Sequence, residues 1–367
     1  MKIKEIAVWH IDLPVPSSYK LSGGRSYPTL DDTVVRITTE CGIEGWGEAC
    51  PFGLGYLPAH GLGVRAGIAE LAPFLLGLDV RNIDRVNDAM DAVLPGLQYI
   101  KSAIDIACYD AFGKSVGLPV HTLLGGREIE RMPIAGSITT GTSEEMVAVV
   151  DKFRQTGYRA FSIKVGGQDV EGDIARINAV LDARKPGEDY LVDVNRGWTL
   201  DTCFRVLAGV HHSDFTLEQP TASLREMRAI RQRTNIPISI DEMLDSTETL
   251  LSAITDEACD FVNLKTCKIG GLTKGRKLRD LCQTAGLAVS VQETGGTEIA
   301  FTALCHLATS TPKRIFRTVW DPRELAGISF ATGGAWVEEG HAFVGDAPGL
   351  SLDVDLGKLG EPVAVYR

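Results

Sequence analysis

LVDVNRGW at 191–198, FTLEQP at 215–220 and ISIDEM at 238–243 each carry an acid where a short apolar run gives out: Asp193, Glu218 and Asp241. The acids stand 25 and 23 residues apart, close to one strand, one helix and two short connections, which is the period of a βα unit. In a closed barrel of parallel strands the carboxyl ends of all strands meet on one face, so acids at three successive strand ends converge there. Three carboxylates in one place suit a hard dication, Mg²⁺ above others. A single acid of this kind is ordinarily an N-cap or a surface charge; three in phase are not.

The same period extends on both sides. RMPIAGSI, YRAFSIKVGG, YLVDVN, FTLEQP, PISIDE, FVNLKT, LAVSVQET and RIFRTVWD read as eight strands, with amphipathic helices such as SEEMVAVVDKFRQTG and LTKGRKLRDLCQTAG between them. Count and alternation predict an α/β fold, a modified TIM barrel of the form (βα)₇β with its last helix missing or altered, over residues 128–321. Residues 1–127 predict an α+β capping domain. IKEIAVWHIDL, TLDDTVVRITTE and GIEGWGEAC alternate like antiparallel strands, and helical patterns follow over about 64–117. Residues 322–367 are expected to pack back on the capping domain. The polar, Gly-rich stretch at 17–28 and the PFGLGYLPAHG loop with Tyr56 near its tip read as mobile loops able to cover a pocket.

A 44% hydrophobic composition supports a large core, and a net charge of −11 with scattered basic residues argues against nucleic acid or an anionic membrane surface as partner. A small carboxylate substrate fits better. No run reaches the length of a membrane span, and the first residues alternate like a strand instead of forming the apolar core of a signal peptide, so a cytoplasmic protein is expected. The eight cysteines include no CxxC and sit mostly in apolar segments, the pattern of buried reduced thiols. His211 and His212 read as helix-end residues favouring the local dipole rather than as metal ligands.

Beyond the acids, barrel strands end in Lys164, Lys265, Glu293 and the pair Trp320-Asp321. Lysine is seldom buried unless paired or functional. Strands two and six lie on opposite sides of a ligand held over strands three to five, so their lysines could address two faces of one carbon. A dication bound to a substrate carboxylate stabilises the enediolate formed when an α-proton leaves, and a neutral lysine is the base.

Together GWGEA at 45–49, AIDIACYDAFGKSVGLPVHTLLGG at 103–126, the ordered Asp193, Glu218 and Asp241, and KTCKIGG at 265–271 resemble the enolase superfamily, muconate lactonizing enzyme subgroup. The resemblance spans nearly the whole chain. It implies a capping domain over a modified TIM barrel, a Mg²⁺ site formed by Asp193, Glu218 and Asp241, acid/base roles for Lys164 and Lys265, and a homo-oligomer, dimer or octamer. One departure stands out: where many members carry Lys-x-Lys on strand two, this chain has Ser162, and losing that charge should leave the Lys164 pKa higher.

For the substrate, Ser162, Tyr56, Asn195, Glu293, Trp320 and Asp321 are the expected contacts. An aromatic face beside a carboxylate suits a cationic nitrogen. The sequence is similar to members acting on proline derivatives, which implies dehydration of cis-3-hydroxy-L-proline with competing 2-epimerisation; the alternative is a racemase or 2-epimerase of proline betaine or another N-modified amino acid. A sugar-acid dehydratase of the same superfamily would ordinarily place a histidine base on strand seven, where this chain has Gln292-Glu293-Thr294. A non-catalytic binding barrel predicts loss of an acid or of both lysines, and all five residues are present.

Overall fold

The computed structural model describes residues 1–16, 19–167 and 169–367. Among these, eight parallel strands run side by side in chain order: Ala135–Ile138, Ala160–Lys164, Asp189–Asp193, Thr216–Glu218, Ile238–Ile240, Phe261–Lys265, Ala288–Gln292 and Phe316–Val319. A parallel bridge from Ile134 to Val319 joins the first to the last and closes the ring. The strands are short and apolar because both faces are covered, the inner by barrel packing and the outer by helices. An α-helix follows each of the first seven strands, and the eighth leads only into the 3₁₀ turn Pro322–Leu325. This is the expected (βα)₇β arrangement.

The RMPIAGSI run divides in two. Met132–Pro133 pairs with His341–Phe343 of the C-terminal segment, and the chain enters the barrel only at Ala135. The helix Glu298–Thr309 has no polar stripe, since every residue after Glu298 is buried between the barrel and the capping sheet.

In the first third of the chain, Ile3–Pro14, Thr29–Thr39 and Glu44–Ala49 form an antiparallel sheet, and the C-terminal strand Ala364–Tyr366 pairs along its outer edge against Ile6–Val8. Helix Gln98–Val116 packs on this sheet so tightly that Gly45 and Gly47 leave no space for a Cβ: it would stand 2.0 and 1.9 Å from the Ala107 and Ala103 carbonyl oxygens. That explains the glycines of GWGEA. Its Glu48 explains the acid. The carboxylate accepts from Thr297 N at 2.7 Å, Thr297 Oγ1 at 3.0 Å and Ala300 N at 2.8 Å, so it caps helix Glu298–Thr309 across the junction between sheet and barrel.

The cysteines are all free thiols, and all but Cys41 are buried. Among the described residues no helix is long and apolar enough to cross a membrane.

Candidate active site

Parallel register sets the centre of the site. Lys164 pairs with Asp193, and Asp193 with Glu218, so the ends of barrel strands two, three and four lie level in one row. Side chains alternate along a strand, so Lys164 and Ser162 share the inward face. Asp241 follows directly on the fifth strand and Lys265 ends the sixth. All three acids are buried, at 0–2% exposure. The structure therefore brings together the three acids and two lysines singled out in the sequence.

Each acid is held by a different neighbour. Asp193 accepts from Asn195 N at 2.8 Å and Asn195 Nδ2 at 3.0 Å, and pairs with the Lys164 amine. Glu218 Oε1 accepts from Asn263 Nδ2 at 2.6 Å. Asp241 Oδ2 accepts from Lys265 Nζ at 2.5 Å and from the Tyr56 hydroxyl at 3.1 Å, while its Oδ1 accepts from Lys268 Nζ at 3.1 Å. Gln219 fixes the turn beneath, its Oε1 accepting from Asp241 N at 2.9 Å.

Charge balance follows from these contacts. Burial drives the Glu218 carboxyl well above the usual carboxylate range, the charges of Asp193 and Asp241 push it further, and Lys164 and Lys265 only partly offset them. Burial also raises Asp241, but Lys265 and Lys268 outweigh it and hold this carboxyl low. For the lysines burial acts downward. At Lys164 the Asp193, Tyr19 and Glu218 charges overcome it and leave the amine above ordinary lysine, and at Lys265 the Asp241, Glu218 and Glu242 charges do the same. Lys268 stays below the ordinary value because burial prevails there. The three acids together would carry a surplus of negative charge that the amines do not offset, so without a cation Glu218 tends to keep its proton. Three buried carboxylates with this surplus are a donor set fit for a hard dication.

Lys164 and Lys265 face a cavity with Glu218 in its floor, Ser162, Glu293 and Trp320 in its wall, and Tyr19, Leu21, Phe52 and Tyr56 as its roof. The roof comes from the two loops read as mobile covers. Ser17 and Ser18 lie outside the described residues, but the rest of that loop is seated on the barrel mouth. Ser22 Oγ donates to Asp193 O at 3.1 Å and Gly23 N to Gly166 O at 2.9 Å. Gly23 and Gly167 touch with positive φ of 77° and 75°, and a Cβ on Gly167 would stand 2.1 Å from Gly23 Cα, so both positions require glycine. Tyr56 is buried, and its carbonyl accepts from Arg196 Nη2 at 2.5 Å.

Two expected substrate contacts are corrected. Asp321 does not line the cavity: its carboxylate caps the turn at Arg323 N and accepts from Arg323 Nε at 2.9 Å and Nη2 at 2.7 Å. Two residues past the strand end, it turns back over the 3₁₀ helix. Asn195 serves the acids instead, its amide joining Asp193 to Glu242 Oε1 at 3.1 Å. Glu293 does line the cavity, but its oxygens already accept from Thr266 Oγ1, from Cys267 N at 3.0 Å and from Thr294 N at 2.9 Å, and burial pushes it up to about 7. Glu242 supports the site from behind, as its place beside Asp241 suggests.

Sequence reading passed over Asn263 and Lys268. Both carried a signal: Asn263 is two residues before Lys265 on the same strand and so shares its inward face, and Lys268 is three residues after it, one helical turn on.

The mandelate racemase / muconate lactonizing enzyme N-terminal domain family matches residues 24–125, and the enolase C-terminal domain-like family matches residues 145–358. The chain belongs to this family of the enolase superfamily. Within it, the chain is 40% identical to the cis-3-hydroxy-L-proline dehydratase of Roseibium aggregatum over the full length of both proteins. It is 32% identical to the N-succinyl-L-Arg/Lys racemase of Bacillus cereus over 98% of each. An enolase superfamily member from Roseovarius nubinhibens ISM, crystallised with magnesium, superposes with a TM-score of 0.95 at 42% identity, covering 100% of this chain and 99% of that one. Membership makes this chain an enzyme of the superfamily that includes dehydratases, racemases and cycloisomerases.

Proposed function

We propose that this enzyme is a Mg²⁺-dependent hydro-lyase that removes the α-proton of a small amino-acid-like carboxylate, with cis-3-hydroxy-L-proline as substrate and Δ¹-pyrroline-2-carboxylate as product. The observation that carries the reading is the placement of Lys164 and Lys265, from strands two and six, on one cavity floored by Glu218. The identity with the Roseibium dehydratase directs it to the substrate.

Asp193, Glu218 and Asp241 would hold the ion. When bound, Mg²⁺ supplies positive charge that stabilises negative charge developing on the substrate carboxylate. In cis-3-hydroxy-L-proline the hydroxyl and carboxylate share a ring face, so the α-hydrogen and the leaving hydroxyl lie on opposite faces. Lys164 takes the α-proton in its neutral form, which the charge of a dication held by the three acids would favour by offsetting the carboxylates that now keep the amine protonated. Lys265 gives a proton to the departing hydroxyl, which leaves as water, and the resulting enamine tautomerises to the cyclic imine. Tyr56 and Trp320 line the cavity as aromatic neighbours for the ring nitrogen, and Ser162 sits beside Lys164 without the charge of a second lysine.

Return of the proton by Lys265 to carbon instead of oxygen gives 2-epimerisation, and the racemase relative supports keeping that outcome as the second reading. NMR in D₂O with Mg²⁺ and a panel of proline derivatives decides between them. Loss of the ring hydroxyl from cis-3-hydroxy-L-proline is the expected result. Exchange or epimerisation without elimination moves the assignment to an epimerase, and no exchange with any member overturns the proline reading.

A further inference from the structure

At the other end of the barrel, two histidines and a carboxylate converge. His211 Nε2 and His212 Nε2 stand 2.9 and 2.8 Å from the same oxygen, Asp182 Oδ1. The donor atoms of all three residues lie within 4.8 Å of one another. The imidazole rings tilt together, with centroids 4.5 Å apart. Helix Val170–Asp182 ends at this carboxylate, and the histidines occupy the connection between helix Leu200–Gly209 and strand Thr216–Glu218. Helices of the barrel run from the carboxyl ends of the strands back toward their amino ends, so the cluster lies on the face opposite Asp193, Glu218 and Asp241.

The connection is fixed in place by one face of a single helix. Ile174, Asn178 and Asp182 recur every four residues and so line up along helix Val170–Asp182. Ile174 packs on Gly209, where an added Cβ would stand 2.4 Å from Ile174 Cδ1. Asn178 grips the next turn of chain at both ends, with Nδ2 donating to Gly209 O at 3.1 Å and Oδ1 accepting from His211 N at 3.1 Å. One turn further, Asp182 meets both rings. The backbone carrying the histidines is therefore positioned before any ligand arrives, and the rings remain open to solvent at 59% and 30% side-chain exposure. Hydrogen bonds from His211 and then His212 hold the Asp182 carboxyl below the usual range.

We propose that Asp182, His211 and His212 form a binding site for a borderline transition-metal dication, Zn²⁺ being the best fit, that pins helix Val170–Asp182 to the connection ahead of the fourth barrel strand. Two imidazoles and one carboxylate suit Zn²⁺, Ni²⁺ or Cu²⁺ and disfavour Mg²⁺, which prefers oxygen and water. At ligand distances of about 2.0–2.1 Å, the edges of a tetrahedron are about 3.3 Å. The two histidine–carboxylate contacts need open by only about half an ångström, within reach of exposed side chains, and solvent supplies the remaining position. Each ring then carries its hydrogen on Nδ1 as Nε2 binds.

Titration calorimetry with Zn²⁺ in excess Mg²⁺ tests the site on the full chain. Wild type is expected to bind one more equivalent of Zn²⁺ than the double variant His211→Gln/His212→Gln, and to give a higher Tm with Zn²⁺ that the variant lacks. Turnover with Mg²⁺ should be equal in the two proteins, because none of these residues touches the catalytic cavity. An Asp193→Asn protein should retain the extra equivalent, which separates this site from the three acids of the barrel mouth. Equal Zn²⁺ stoichiometry in wild type and the double variant, with both folded by circular dichroism, overturns the proposal.

Discussion

The Lys265 amine stands 2.5 Å from Asp241 Oδ2, and Lys268 holds the other oxygen of the same carboxylate at 3.1 Å. Asp241 thus keeps a countercharge when Lys265 changes, so Lys265→Met is expected to fold. Losing a positioned acid costs about 10²–10⁴-fold in rate. Elimination of the ring hydroxyl should fall by that factor, while Lys164 continues to exchange the α-hydrogen of the L-substrate for deuterium. NMR in D₂O reads both. Equal loss of exchange and elimination would mean that the two lysines do not divide the work between two faces.

Tyr56 reaches the same carboxylate from the capping side. Its hydroxyl donates to Asp241 Oδ2 at 3.1 Å and accepts from Lys265 Nζ at 2.5 Å. Burial and then the Asp241 charge push its pKa well above that of ordinary tyrosine, so it remains a neutral donor throughout the working range. Tyr56→Phe keeps the ring and removes the donor, and kcat/KM should drop about tenfold, the effect of losing a hydrogen bond to a charged group worth roughly 1.5 kcal/mol. An unchanged kcat/KM would remove the Tyr56 hydroxyl from the site.

Asn263 orients Glu218 without facing the roof of the cavity, donating to Oε1 at 2.6 Å. Removing a group that orients a ligand typically weakens metal binding by about 10–100-fold. Asn263→Ala should therefore raise the Mg²⁺ dissociation constant by a factor in that range, measured by calorimetry, and saturating Mg²⁺ should recover much of the turnover. Treatment with EDTA should abolish wild-type activity, and Mg²⁺ should restore it.

How much of this was legible in the sequence depends on the kind of signal. Asp193, Glu218 and Asp241 could be found because each ends an apolar strand and the βα period is regular; parallel register then places them side by side. Asp321 misled because it also follows a strand, yet a proline and an arginine come directly after it, and the chain turns there to let Arg323 take the carboxylate. Helix Glu298–Thr309 offered no amphipathic period because it is buried all round. The Asp182, His211 and His212 convergence depends on two neighbouring helices meeting through Ile174 and Gly209, a contact that no local pattern encodes.

Asp32 and Glu48 give a test in the capping sheet, where Glu48 meets the start of helix Glu298–Thr309. They lie on adjacent strands of the capping sheet, both buried. Burial raises the Asp32 carboxyl to about 6 even though Glu48 and Thr33 N hydrogen-bond to it, and burial followed by the Asp32 charge drives Glu48 well above the carboxylate range. The folded state therefore holds protons that the unfolded chain releases near pH 4, so stability is greatest in mild acid and is lost as pH rises through about 6. A shift of roughly two units corresponds to about 3 kcal/mol. In Asp32→Asn the amide oxygen can still accept from Thr33 N while its NH₂ donates to Glu48, leaving nothing to ionise at this position. Denaturant unfolding should find the variant more stable than wild type at pH 8 by up to that amount, with the advantage shrinking toward pH 4. Parallel pH profiles for the two proteins would show that the pair shares no proton.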